Sequence, residues 1–228
     1  MNTEPGETEF LDCAALARTA LAADPFPYVI VPGFLRAGTL ERIHADFPRL
    51  ERAGSFPSTE LTYGESFGRL LAELEGPVLR AAIEQKFGID LAGRPIMITV
   101  RCQARRGDGK IHSDSKSKLI TVLLYLNARW EAPGGRLRLL RSNRDLNDVV
   151  AEVPPDAGTL LAFRVTDNSW HGHEPFEGQR RAIQLNWVTG QEVVRRGQSR
   201  HRFSARLKRL NPFARIAQSQ ISFRARQD

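Results

Sequence analysis

The texture of the chain changes at residue 96, and this change limits the fold more than any other feature. Before it, apolar residues recur at helical spacing. Residues 9–22 are rich in Ala and Leu, residues 37–47 put Leu40, Ile43, His44 and Phe47 on one face, and residues 66–87 carry Leu70, Leu71, Leu74, Val78, Leu79 and Ile83. Gly76-Pro77 divides the last stretch into two helices or kinks it. One short strand, Tyr28-Val29-Ile30-Val31, interrupts this half, and residues 53–64 read as a loop. After residue 96 come short β-rich runs at 96–104, 110–114, 118–126, 136–140, 159–164 and 180–188, punctuated by Pro133-Gly134-Gly135 and by the turn from Pro154 to Gly158. Helices first and many short strands afterwards predict an α+β fold: a β-sandwich or jelly roll with the N-terminal helices packed on one side.

Charge is distributed as unevenly as structure. The formal net charge of the 228 residues is +7. From Arg195 to Asp228 there are ten basic residues and one acidic, which leaves 23 basic and 25 acidic residues in the rest. The body is thus slightly acidic, and the basic excess belongs to a C-terminal extension over residues 191–228. Within it Phe203, Leu207 and Leu210 fall at roughly helical spacing among arginines and Lys208. Such a stretch packs as a solvated helix, or else offers a surface to an anionic membrane or nucleic acid.

Several classes are excluded as expectations. No run of 18 apolar residues predicts a spanning helix, and the acidic N-terminus is unlike a secretory signal. Cys13 and Cys102 are the only cysteines, so reduced thiols in a cytoplasm fit better than a disulfide framework or a thiolate zinc site. Neither GxxxxGK[ST] nor GxGxxG occurs.

The residues that carry chemistry lie in the β region. His112 and Asp114, two apart on an expected strand, project to the same side. Ser169-Trp170-His171-Gly172-His173 follows in the second half. Two histidines and a carboxylate can occupy one face of an octahedral ion and leave the other face open, an arrangement suited to Fe(II). Arg180 and Arg181 stand nine and ten residues past His171, where a guanidinium can grip a carboxylate with two parallel hydrogen bonds.

These pieces, in this order, resemble the iron(II)- and 2-oxoglutarate-dependent dioxygenases, specifically the prolyl 4-hydroxylase-like branch. The resemblance spans roughly residues 26–190. It rests on His112-x-Asp114, on the strand Lys118-Leu119-Ile120-Thr121-Val122-Leu123-Leu124-Tyr125-Leu126-Asn127, on Gly134-Gly135-Arg136-Leu137, on the strand ending at Phe163, and on Trp170-His171 followed by Arg180-Arg181. It implies a double-stranded β-helix (jelly roll) core at about residues 96–190, behind a helical part at about 9–90, in one oxygenase domain over residues 1–190. It implies Fe(II) held by His112, Asp114 and His171, with 2-oxoglutarate as co-substrate and ascorbate as a supporting reductant. The far carboxylate of 2-oxoglutarate would be bound by Arg180 or Arg181 together with Tyr125. Spacing leaves both arginines open; Arg180 shares its strand face with Ala182, Gln184 and Asn186, a small polar face suited to a pocket, whereas Arg181 shares one with Ile183, Leu185 and Trp187. Thr121 lies on Tyr125's face and is expected to complete the anion cradle. Asn127, on that same face, either touches the co-substrate or ends the strand. Taking His173 as the ligand would shorten the arginine spacing below the family's, so His173 is expected at the substrate mouth or on the surface.

The implied reaction is hydroxylation of a small-molecule or peptidyl substrate. Arg105, Arg106, Lys116 and Lys118 cluster near the ligand segment, either as solvated strand ends or as a bias toward acidic substrates. Two other classes share some of these features. A cupin-type metalloenzyme without 2-oxoglutarate would share the jelly roll and the histidines. A non-enzymatic binding protein acting through the basic tail would leave the ordered motifs unexplained.

Overall fold

The computed structural model describes residues 8–50 and 52–197. Four helices, α1 (Cys13–Arg18), α2 (Leu40–Ala45), α3 (Glu65–Glu75) and α4 (Pro77–Phe87), precede most of the strands. The strands are β1 (Tyr28–Val31), β2 (Phe56–Pro57), β3 (Ile96–Ala104), β4 (Lys118–Tyr125), β5 (Leu137–Leu140), β6 (Val149–Val153), β7 (Leu160–Arg164), β8 (His171–Gly172) and β9 (Gly178–Val188). They form a six-stranded sheet, ordered β1-β7-β4-β9-β3-β2, and a three-stranded sheet, ordered β6-β5-β8. All strand pairs are antiparallel. This is the expected α+β fold with a jelly-roll core.

Strand alternation divides the large sheet into two faces. Ile98, Val100, Ile120, Val122, Leu124, Ile183, Leu185 and Trp187 belong to a core shared with the helices. Helix α3 supplies Phe67, Leu70, Leu71 and Leu74, one apolar stripe at i, i+3, i+4 and i+7. Each such buried side chain stabilises the fold by roughly 1.5–3 kcal/mol relative to exposure. The opposite face packs Tyr125, Leu161, Phe163 and Ala182 against Leu137, Leu139 and Val153 of the small sheet. That second core is small, and the space beside it is the pocket described below.

Some elements differ from their expected form. The helix expected at 9–22 is confined to α1. Phe10 and Leu11 are buried in extended backbone, where the Glu73 carboxylate accepts hydrogen bonds from the amides of Glu9, Phe10 and Leu11 at 2.7–3.2 Å. At the other end Ala22 pairs with Tyr28. Gly76-Pro77 makes a clean break, with Pro77 opening α4. Residues 110–114 form no strand; only His112 bridges to His171. Strand β6 arises where a polar loop was expected to run into residue 150.

Residues 191–197 are helical, and Val194 and Gly197 line a small cleft with Ile96 and Met97 of β3. Packed structure therefore continues past residue 190 to at least residue 197. The apolar spacing of Phe203, Leu207 and Leu210 lies outside the described residues, as does His201. Among the described residues, no helix is long and apolar enough to cross a membrane.

Candidate active site

A cavity of about 490 Å³ opens between the two sheets. Its walls are the inward positions of three neighbouring strands: Met97, Thr99 and Arg101 of β3, Thr121, Leu123 and Tyr125 of β4, and Arg180, Ala182, Gln184 and Asn186 of β9. The small sheet and its connections add Leu137, His171 and His173, while His112 and Asp114 come from the segment before β4.

His112, Asp114 and His171 converge at one end. One ligand atom from each lies within 4.8 Å of the others. The backbones of residues 112 and 171 exchange both hydrogen bonds, at 3.0 and 2.9 Å, which places the two rings side by side with centroids 4.3 Å apart. A single bridge thus does what a full strand was expected to do. His112 Nδ1 lies 2.8 Å from the Lys110 carbonyl and His171 Nδ1 lies 2.9 Å from that of Ser169. A carbonyl oxygen only accepts, so Nδ1 carries the proton in both rings and Nε2 keeps the lone pair needed by a metal. Burial, reinforced by the charge of His112, pushes the His171 pKa down to about 4, which keeps this imidazole neutral.

Both oxygens of Asp114 have partners. Lys118 Nζ donates to one at 2.7 Å, and Thr121 Oγ1 to the other at 2.6 Å. Burial alone would raise the carboxyl pKa. The charge of Lys118 and these two hydrogen bonds outweigh it, so the group is held below the ordinary range and stays ionised. Two imidazoles and one carboxylate, converging without a thiolate, fit a hard-to-borderline divalent ion such as Fe(II). Thr121 takes a different part from the one expected: its hydrogen goes to Asp114, and its oxygen accepts from Asn186 Nδ2 at 2.8 Å. It orients the carboxylate from the same cavity wall that carries Tyr125.

Arg180 occupies another part of the cavity and is only 6% exposed. Its Nε donates to the Gly135 carbonyl at 2.8 Å, and its Nη2 approaches the Tyr125 hydroxyl at 3.4 Å. Among the described residues it has no carboxylate partner. Gly135 can hold that carbonyl in place because it adopts a φ of +79°, and a Cβ there would come within 2.8 Å of the Trp130 ring. Burial raises the Tyr125 pKa, only partly offset by Arg180, so the phenol keeps its proton and can donate it to an anion. Arg181 points to the opposite face. Its guanidinium carbon stands 4.9 Å from the Phe47 ring centroid, outside the cavity. Asn127 ends the strand: its amide donates to the carbonyls of Pro155 and Arg181 and accepts from the Arg181 amide.

His173 is buried on the cavity wall, with Nδ1 2.8 Å from the Glu174 carbonyl. Gly109 packs against its ring at a φ of +88°, where a Cβ would come within 2.4 Å. His44 bonds the Leu126 carbonyl at 2.6 Å and ties α2 to the end of β4. Of the basic cluster, Lys118 reaches the cavity; Arg105 and Arg106 are exposed, and Lys116 pairs with Asp167. Sequence reasoning placed Asn186 on the pocket face of β9 but missed Arg101 as a wall residue. The signal was present: on β3 it is a polar residue in step with the inward positions Met97 and Thr99.

Residues 99–189 match the family model of the 2OG-Fe(II) oxygenase superfamily. No curated protein matches the sequence. Among solved structures, the fold is similar to that of a Pseudomonas putida prolyl-4-hydroxylase, at a TM-score of 0.56 and 21% identity over 82% of this chain and 96% of that one. It is also similar to a prolyl 4-hydroxylase of Phytophthora capsici, at a TM-score of 0.51 and 16% identity over 78% of this chain and 62% of that one. Most of the strands that build this cavity thus fall in the segment that matches the 2OG-Fe(II) oxygenase superfamily, on a fold similar to that of prolyl 4-hydroxylases.

Proposed function

We propose that this chain is an Fe(II)- and 2-oxoglutarate-dependent oxygenase that hydroxylates its substrate and releases succinate and CO2. The observation that carries this reading is the composition of one cavity: a two-histidine, one-carboxylate cluster in the same space as a buried arginine with no acidic partner among the described residues. A guanidinium cannot shed its charge, so such a site favours an anion.

His112, Asp114 and His171 would hold Fe(II), with Nε2 of both rings and one oxygen of Asp114 as ligands. Lys118 and Thr121 keep the carboxylate ionised and in position. Arg180, fixed by Gly135, and Tyr125, kept protonated, bind the far carboxylate of 2-oxoglutarate. With 2-oxoglutarate and dioxygen, iron supplies the oxidative decarboxylation that drives oxygen into a C–H bond. The protein's own part is orientation within the cavity between the two sheets.

The test is turnover of 2-oxoglutarate. Protein supplied with Fe(II), ascorbate, oxygen and 2-oxoglutarate should form succinate even without its substrate, and His171→Ala should form none. Full succinate formation by His171→Ala would overturn the ligand set.

A further inference from the structure

Two cations of the cavity wall are left unused by this reading, the exposed Lys110 and the less exposed Arg101. Arg101 lies on β3 on the same face as Met97 and Thr99, and it lines the cavity that holds Arg180. Its Nε donates to Ser55 Oγ at 2.6 Å, so the segment before β2 fixes the guanidinium. Among the described residues no carboxylate pairs with it. Asp108, also on the wall, turns one oxygen to the Arg105 amide at 3.1 Å instead. Burial and the charge of Arg180 both disfavour the Arg101 cation.

Two guanidinium ions in one partly dehydrated cavity repel each other, and neither can be neutralised by losing a proton. Anions must compensate them. A molecule of 2-oxoglutarate brings two carboxylates. On the reading above, one goes to the metal and the other to Arg180 and Tyr125, so Arg101 is left with the charge of Asp108 as partial compensation and no ion pair among the described residues. We infer that Arg101 anchors an acidic group on the substrate, and that the pocket takes a small anionic molecule bearing a carboxylate or phosphate. The cavity, about 490 Å³, falls within the size range of small-molecule sites. The inference rests on the assignment of 2-oxoglutarate to Arg180.

Titration calorimetry with inorganic phosphate as the probe tests it. Full-length protein loaded with Mn(II) and saturated with 2-oxoglutarate should bind phosphate. Arg101→Gln should weaken that binding by about tenfold or more, the loss expected when a buried charge pair is broken. Arg106→Gln removes the same charge from an exposed position and should leave phosphate binding unchanged. The Kd of Arg101→Gln for 2-oxoglutarate itself should stay within about threefold of wild type, below the cost of losing a charged partner. Equal phosphate binding by wild type and Arg101→Gln, or none by wild type, would overturn the inference. So would a loss of about tenfold or more in 2-oxoglutarate affinity, which would assign Arg101 to the co-substrate. Failure of the wild type to bind 2-oxoglutarate at all would instead overturn the oxygenase reading. Matched carboxylates and carboxamides, screened for stimulated succinate release, then separate carboxylate from phosphate substrates.

Discussion

Asp114 shows how much of the site depends on residues that touch no ligand. Lys118 and Thr121 occupy its two oxygens, and Asn186 holds Thr121 in turn. This chain of hydrogen bonds joins the ligand segment to β4 and β9. Removing a partner that orients a metal ligand typically costs about 10–100-fold in metal affinity. Thr121→Val should therefore raise the Kd for Mn(II), measured by calorimetry, by at least about tenfold, with little change in thermal stability because the volume is kept. An unchanged Kd would return Thr121 to the cradle first expected for it. The converging cluster of His112, Asp114 and His171 was legible because its residue types and order are distinctive. The second partners were not, because hydroxyls and amides at alternating strand positions look like ordinary polar residues until registry is known. Arg180 and Arg181 are instructive: spacing could not separate them, but strand alternation did, since a neighbour on β9 must face the other way.

At the level of elements, periodicity found the strands and helices that bury one clear face, and failed where backbone was held by a distant side chain. The segment at 9–22 has the composition of a helix, but Glu73 on α3 accepts from three of its amides and keeps residues 9–11 extended. The same carboxylate lies where α3 meets the N-terminal segment, so it also fixes how that segment crosses the helices. Glu73→Gln turns an NH2 group toward those donors and weakens charged hydrogen bonds. It should cost about 2–3 kcal/mol, read as a lower midpoint in urea denaturation with an unchanged slope; a shift equivalent to less than about 0.5 kcal/mol would show that residues 9–11 are held by burial of Phe10 and Leu11 alone. Strand β6 escaped notice for a simpler reason: it is a short edge strand, mostly half-exposed, without the alternation that a two-sided core imposes. Residues 110–114 were read as a strand because His112 and Asp114 alternate, yet one bridge to His171 suffices to bring the ligands together.

On the scale of the whole molecule, one sheet serves two environments. Its outer face is covered by helices and is mostly apolar, with Arg181 of β9 lying against Phe47 as an exception. Its inner face carries a small core at one end and a charged cavity beside it. The net charge of +7 says little about this cavity, since the excess lies in residues 195–228, whereas the rest of the chain is near neutral. The charges that matter are few, local and buried. They predict a definite spectroscopic outcome, because Fe(II) and 2-oxoglutarate bound together in the site should give a weak visible charge-transfer band without oxygen. The decisive measurement is an anaerobic titration of the protein with both. Wild type and Arg181→Gln should develop the band at the same 2-oxoglutarate concentration, Arg180→Gln should need at least about tenfold more, and His171→Ala should show none. A wild-type protein without the band, or an Arg180→Gln protein that matches wild type, would contradict the account.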